Sequence, residues 1–313
     1  MSSPFSSSST GEQFRPPLTM YQFDQLYSLE NGELIQSGGY ASVVCGVRRA
    51  DRTPLHCFRL VQVAIKTIFL GKRTEWDVGA NGRPIPREVA CLQKAAQVPG
   101  VIRMLDWVAV NNGPQYVIVM ERPEHAEDLM EFYNRAPGEF DPQLAQSLLR
   151  QLATTLLGCH QAGVLHCDLK EENLLIDRET KSLKLIDFNL AHYLQPGKVY
   201  SKFVGTENCV PPEVITSGQY DGQQAEIWAI GVLFYRLVTG NEHPFGGVEK
   251  ITSGQLVLGG KQLSPQFEDL LRKCLAINPR DRISLQDILQ HPWVSQLSSA
   301  VESATEGGDN LQG

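Results

Sequence analysis

The run His166-Cys167-Asp168-Leu169-Lys170-Glu171-Glu172-Asn173, followed by Asp187-Phe188-Asn189 behind the apolar segment Leu183-Lys184-Leu185-Ile186, constrains this chain more than any other feature. It sets two carboxylates, an ammonium group and an amide at fixed spacing. Phosphoryl transfer asks a protein for such groups. It needs a base or orienting group for the attacking hydroxyl, and oxygen ligands for the magnesium ions that neutralise charge between phosphates. Asp168 suits the first task, and Asn173 and Asp187 the second. Lys170 is placed to contact the transferred phosphate. So many fixed positions coincide very rarely by chance.

A second group of residues lies upstream. Val63-Ala64-Ile65-Lys66 has the form of a strand whose lysine pairs with the α- and β-phosphates of a nucleotide, and Glu88, in a helical run over 87–96, is the carboxylate to orient it. Ahead of them, Ile35-Gln36-Ser37-Gly38-Gly39-Tyr40-Ala41-Ser42-Val43 is an altered phosphate flap, with Gln36 and Ala41 where the first and third glycines of G-x-G-x-x-G-x-V would stand. Alone, this stretch would read as a turn between two strands; its place before Lys66 makes it the nucleotide lid.

With Gly205-Thr206, Pro211-Pro212-Glu213, Glu226-Ile227-Trp228 and Asn278-Pro279-Arg280-Asp281-Arg282 in order downstream, the chain resembles serine/threonine protein kinases. Within them it is similar to the PIM family over roughly 24–294. The closer matches include Val101-Ile102-Arg103-Met104-Leu105-Asp106-Trp107, the hinge Glu121-Arg122-Pro123-Glu124 and Cys274-Leu275-Ala276. Pro123 has no backbone N–H and so removes one of the hinge donors to adenine.

The resemblance implies an α+β, two-lobed kinase fold: a small β-rich lobe with one main helix over 24–120, a hinge over 121–124 and a larger helical lobe over 125–294. It implies ATP and Mg2+ as cofactors. Ile35, Gly38, Gly39, Val43, Ala64, Lys66, Met120, Glu121, Leu175 and Ile186 would hold the nucleotide, and Asn173 and Asp187 the metal. Asp168, Lys170, Asn173, Lys66 and Glu88 would carry catalysis. Glu213 and Arg282 would form a buried ion pair under a peptide platform that small-molecule kinases lack. Partners would be protein substrates with arginine-rich motifs, recognised by Asp128, Glu131, Glu171, Glu172 and Glu242, because carboxylates take guanidinium groups bidentately. Without the resemblance these acids would read as an ordinary solvated face.

Three departures bear on activity. Cys167 replaces the arginine that usually pairs with a phosphate on the activation segment, so activation is expected not to depend on that phosphate. Asn189 replaces a glycine; asparagine tolerates left-handed backbone angles better than most residues, and altered switching is expected rather than lost metal binding. Eight residues, 55–62, separate Pro54 from Val63 where the family runs on directly. They are either a lengthened hairpin loop or a misassigned exon boundary, and could disturb the strand of Lys66. These departures leave a pseudokinase, a nucleotide-binding or scaffold module, as the alternative to an active enzyme.

Composition agrees with an enzyme domain. At 313 residues and 42% hydrophobic the chain can bury a large core, and its net charge of −7 opposes general nucleic-acid binding. Seven scattered cysteines without paired spacing read as reduced thiols. The serine-rich start is no secretory signal, and the longest apolar stretch, 228–237, is too short for a bilayer. No membrane partner, a monomer, and a cytoplasmic location extending to the nucleus are expected. Residues 1–23 and 295–313 read as polar and disordered. Asp141-Pro142 marks a helix start, with Leu144, Leu148, Leu149, Leu152 and Leu156 on its core face.

Overall fold

The computed structural model describes residues 16–37, 41–49, 61–69, 75–79, 82–110, 115–135, 140–240, 243–257 and 263–295. The expectations for Gly38, Gly39, Glu242, residues 1–15 and 296–313, and residues 55–60 of the insertion lie outside them. Two compact units result: 1–96 with 104–121, and 97–103 with 122–313.

The first unit begins earlier than its sequence promised. Residues 16–23, expected to be disordered, carry helix α1 (Met20–Leu26), started by a capping box in which Gln22 N–H donates to Thr19 Oγ1 at 3.2 Å and Thr19 N–H to Gln22 Oε1 at 2.8 Å. Such a reciprocal cap satisfies two orphan donors at once. The five-stranded antiparallel sheet has the order β1 (Tyr27–Ser37), β2 (Ala41–Arg48), β3 (Val61–Phe69), β7 (Gln115–Glu121), β6 (Met104–Val110). One face buries Tyr27, Val63, Ile65, Leu105, Val108, Val117 and Val119, with Leu18, Met20, Phe23 and Leu26 packed on it. The short pair β4 (Trp76–Val78) and β5 (Pro84–Pro86) precedes α2 (Arg87–Lys94). β2 and β3 stay in register from Ala41↔Ile68 to Arg48↔Val61. The insertion therefore leaves the strand of Lys66 undisturbed.

Residues 97–103, assigned to the small lobe from sequence, belong to the second unit. Leu185 N–H donates to Gly100 O at 2.7 Å, Ile102 N–H to Leu185 O at 3.0 Å, and Thr155 Oγ1 to Pro99 O at 3.1 Å. Three backbone groups of this stretch thus find partners there, which hydrophobic pattern alone does not reveal.

In the second unit β8 (Ala126–Asp128) leads to α3 (Leu129–Arg135) and α4 (Pro142–Gln161). Asp141 caps α4 by accepting from Leu144 N–H at 2.7 Å, with proline in the first turn, as read from sequence. Leu148, Leu149, Leu152 and Leu156 are buried and Leu144 half-buried. β9 (Val164–Leu165), β10 (Leu174–Asp177) and β11 (Leu183–Leu185) frame the catalytic run, and β10 lies between β11 and β8. β12 (His192–Tyr193) pairs with β9, and β13 (Val199–Tyr200) with β14 (Tyr220–Asp221), on either side of α5 (Pro212–Ser217) in the chain. Helix α6 (Gly222–Thr239) is buried on nearly all sides, the signature of a central helix. A Cβ on its Gly231 would stand 2.7 Å from Leu275 Cδ2, so only glycine lets α7 (Pro265–Cys274) and the residue after it approach this closely. α8 (Leu285–Gln290) and α9 (Pro292–Ser295) complete the unit. No described helix is long and apolar enough to cross a membrane.

Arg282 and Glu213 form the expected buried pair, bidentate at 2.8 and 2.5 Å. Arg282 also donates to Ala276 O and Gln224 O, both at 2.9 Å, and stacks 5.0 Å over Trp228. Four hydrogen bonds offset the desolvation of this guanidinium; removing it strands a carboxylate. Arg282→Leu should cost about 3–5 kcal/mol, read as a lowered denaturant midpoint, and an unchanged midpoint would contradict this account.

Candidate active site

On the face of the first sheet opposite its apolar cluster, strand register fixes the nucleotide candidates. Val43, Lys66 and Ile118 stand opposite one another across β2, β3 and β7, as do Cys45, Ala64 and Met120. Opposed residues share a face in antiparallel sheets, so Val43, Ala64, Lys66 and Met120 come together. Glu121 pairs with Val63 and its side chain lies on the other face. Ile35 sits at a register irregularity of β1 and is 48% exposed. Lys66 Nζ reaches Glu88 Oε1 at 2.6 Å, and both are buried. The second Glu88 oxygen accepts from Tyr116 OH at 3.2 Å. Tyr116 is a positioning residue that the sequence reading passed over as part of an apolar strand; its hydroxyl was the only signal.

In the second unit the catalytic run hangs on Glu226 of α6. One carboxylate oxygen accepts from His166 N–H at 2.5 Å and Cys167 N–H at 2.9 Å, while the other meets His160 Nε2 at 2.6 Å. Cys167 is thereby held at φ 65°, a left-handed angle that costs energy for a residue with a Cβ. His166 Nε2 faces Ile186 O at 2.8 Å, and Asp168 N–H donates to His166 Nδ1 at 3.3 Å. The neutral tautomer with hydrogen on Nε2 satisfies both. Phe188 packs edge-on against the ring at 4.9 Å.

These ties bring Asp168, Lys170 and Asn173 together. Asn173 Nδ2 donates to Asp168 O at 2.8 Å and Asp168 Oδ2 at 2.9 Å, and Lys170 Nζ lies 3.4 Å from the same oxygen. Thr206 Oγ1 donates to Asp168 Oδ1 at 2.7 Å, a contact the sequence reading did not anticipate because 38 positions separate the two. With both amide hydrogens of Asn173 spent on Asp168, its carbonyl remains to ligate a cation. Ile186 N–H donates to Asn173 O at 3.0 Å, which carries Asp187 to the same place. Leu175 and Ile186 are half-buried beside fully buried Leu174 and Leu185. The left-handed residue of this turn is Asp187, at φ 62°, and Asn189 lies in a 3-10 turn. Asn189 therefore does not need the left-handed backbone expected of it, and its N–H donates to Asp187 Oδ1 at 3.4 Å.

The expected substrate acids divide. Asp128, half-buried, caps α3 by accepting from Glu131 N–H at 2.8 Å. Burial, and then the charges of Glu172 and Glu127, push its carboxyl up; the Asp128 charge does the same to Glu131. Glu131 and Glu172 are exposed. Glu171 is a correction: only 1% exposed, it turns inward to Arg236 at 3.3 Å and presents no carboxylate to a surface groove. Three thiols, Cys91, Cys209 and Cys274, are pushed up to about 12, by burial above all. None of the six described cysteines forms a disulfide.

Machinery of this kind defines a protein kinase, and residues 29–294 match the protein kinase domain family. Serine/threonine-protein kinase pim-2 of Danio rerio is 36% identical over 92% of this chain and 88% of its own length. Serine/threonine-protein kinase prk-2 of Caenorhabditis elegans is 38% identical over 86% of this chain but 58% of its own length. Sperm motility kinase 3A of Mus musculus is 30% identical over 88% of this chain and 51% of its own. The chain belongs to the protein kinase family and, within it, to the PIM serine/threonine kinases.

Burial alone would raise the Glu226 carboxyl, but the His160 ring and Cys167 N–H outweigh it and hold the group below its ordinary 4.5. A carboxyl depressed in the folded state adds stability above its unfolded pKa and loses it as pH falls through the folded one. The stability gap between wild type and Glu226→Gln should thus be widest above about pH 4.5 and narrow below it. Denaturant titrations across that range test this; a gap independent of pH would overturn it.

Proposed function

We propose that this kinase transfers the γ-phosphoryl group of ATP to serine or threonine in proteins bearing basic residues, and does so without phosphorylation of its activation segment. The observation that carries catalysis is the intact set around Asp168. Its carboxylate is aimed by Asn173, Lys170 and Thr206, and so can orient the acceptor hydroxyl and take its proton. Lys66, fixed by Glu88 and Tyr116, holds the α- and β-phosphates. In the first unit Val43, Ala64 and Met120 supply apolar surface for adenine, and Glu121 a hinge carbonyl; Leu175 and Ile186 are the apolar candidates within the second unit.

Asn173 and Asp187 offer oxygen ligands only. That fits magnesium, which is held by one or two side-chain oxygens with substrate phosphates and water completing the shell. Bound there, magnesium supplies neutralisation of charge on the transferring phosphoryl group. The pseudokinase alternative rested on the altered glycine loop, Cys167, Asn189 and the insertion, and two of these four lose weight. Asn189 meets no special backbone demand, and β3 keeps its register.

Independence from activation-segment phosphate rests on Cys167, an uncharged thiol, and on ties the segment already has. Thr206 bonds Asp168, Tyr200 OH donates to Tyr193 O at 2.9 Å, Tyr220 OH to Lys202 O at 3.2 Å, and the two tyrosine rings stack 5.6 Å apart. Phosphatase treatment of the purified enzyme should leave its activity within about twofold. A large loss restored by an upstream kinase would contradict the reading.

The basic preference rests on Asp128, Glu131 and Glu172: burial and the Glu172 charge push the Asp128 carboxyl up, the Asp128 charge pushes up that of Glu131, and a cation relieves this crowding of like charge. A charge-assisted contact contributes about 1.5–3 kcal/mol, or roughly tenfold to a hundredfold. Radiolabel transfer to arginine-rich peptides, with Asp168→Asn as the inactive control, tests the activity. Asp128→Ala with Glu172→Ala should flatten the arginine preference mainly through KM. No basic preference in the wild type would refute it.

A further inference from the structure

Two adjacent glutamates in the turn 171–173 have opposite environments. Glu172 is exposed, and its charge acts on the Asp128 carboxyl. Glu171 is 1% exposed; its Oε2 lies 3.3 Å from Arg236 Nη1, and its Oε1 is buried with no hydrogen-bond partner. A buried carboxylate with one oxygen unsatisfied is costly to hold, and burial pushes this one up, with Arg236 acting against it.

Arg236, near the end of α6, is the outer member of the pair: its side chain is 18% exposed against 1% for Glu171. It contrasts with Arg282, whose partner Glu213 has both oxygens engaged. The Glu171 carboxylate thus keeps acceptor capacity for a guanidinium, under a guanidinium that belongs to the chain itself.

We propose that Arg236 is a specificity-determining residue. It fills from within the chain an arginine subsite that Glu171 would otherwise offer, so that a basic peptide is read through Asp128, Glu131 and Glu172 alone. This rests on the basic-substrate reading above and narrows it. The enzyme discriminates one cluster of basic residues, and an additional arginine directed at Glu171 meets a like charge. Arg236 touches neither Asp168 nor the metal candidates, and its effect belongs to peptide binding rather than to the transfer step.

The test uses the full chain as wild type, Arg236→Met, Glu171→Gln and the double variant. Each is assayed on a parent basic peptide and on the same peptide with one extra arginine at each neighbouring position. The readout is the ratio of kcat/KM between extended and parent peptides, which cancels any general loss of turnover. Arg236→Met should raise that ratio about tenfold at one position, chiefly through KM. The double variant should return it to the wild-type value, and Glu171→Gln alone should leave it there.

An Arg236→Met enzyme that loses kcat equally on every peptide would make the pair a purely structural tie and overturn the proposal. So would a Glu171→Gln enzyme whose arginine preference is flattened in the presence of Arg236. If a thermal melt shows that Arg236→Met does not fold, the Glu171→Gln arm still decides. A wild type indifferent to every arginine defeats the acidic-cluster reading; the Arg236→Met gain is scored against its own parent peptide, so the two failures are separable.

Discussion

The second unit is organised around one buried carboxylate, Glu226, which binds the backbone of His166 and Cys167 and the ring of His160. Buried charge is tolerable only when its lone pairs are used, and here three donors use them. The consequence is geometric. The backbone of the catalytic run is clamped to the central helix, Cys167 is forced into a left-handed conformation, and Asp168 emerges in a defined direction. Gly205 completes this arrangement: at φ 139°, with Cys167 O only 2.7 Å from where a Cβ would stand, it lets the activation segment pass against the loop.

From that anchor the remaining polar contacts follow in sequence. Asp168 is aligned by groups from three places in the chain, Asn173, Lys170 and Thr206. Thr206 makes the activation segment part of the aligned set directly, through a hydroxyl and not a phosphate. In the first unit Lys66 is held in the same way: Glu88 pairs with it and Tyr116 steadies Glu88 from the other side. Each reactive charge is thus held by a neighbour that is itself held.

Arginine serves two purposes in the second unit. Arg282, buried with four hydrogen bonds and stacked on Trp228, acts as a structural bolt. Arg236 holds Glu171 by one contact and leaves the other oxygen unsatisfied. The difference between a full and a partial set of hydrogen bonds separates a stabilising pair from one that bears on recognition.

The Asp168–Asn173–Asp187 set was legible in the sequence as residue types at fixed local spacing, whereas the kinase fold, the Lys66–Glu88 pair and the Glu213–Arg282 bolt, whose partners lie 22 and 69 positions apart, were implied by the family resemblance of the motifs that carry them. The capping box at Thr19 was equally local and was missed under a serine- and proline-rich composition. What tertiary structure alone decided is which distant groups meet. Thr206 on Asp168, Glu226 beneath His166, the docking of 97–103 on β11, and the left-handed angle at Asp187 rather than Asn189 all depend on contacts between segments far apart in the chain. Glu171 and Glu172 make the point most simply. Adjacent and chemically identical, they differ because the turn aims one carboxylate at Arg236 inside the unit and the other at water, and a string of residue types contains no such direction.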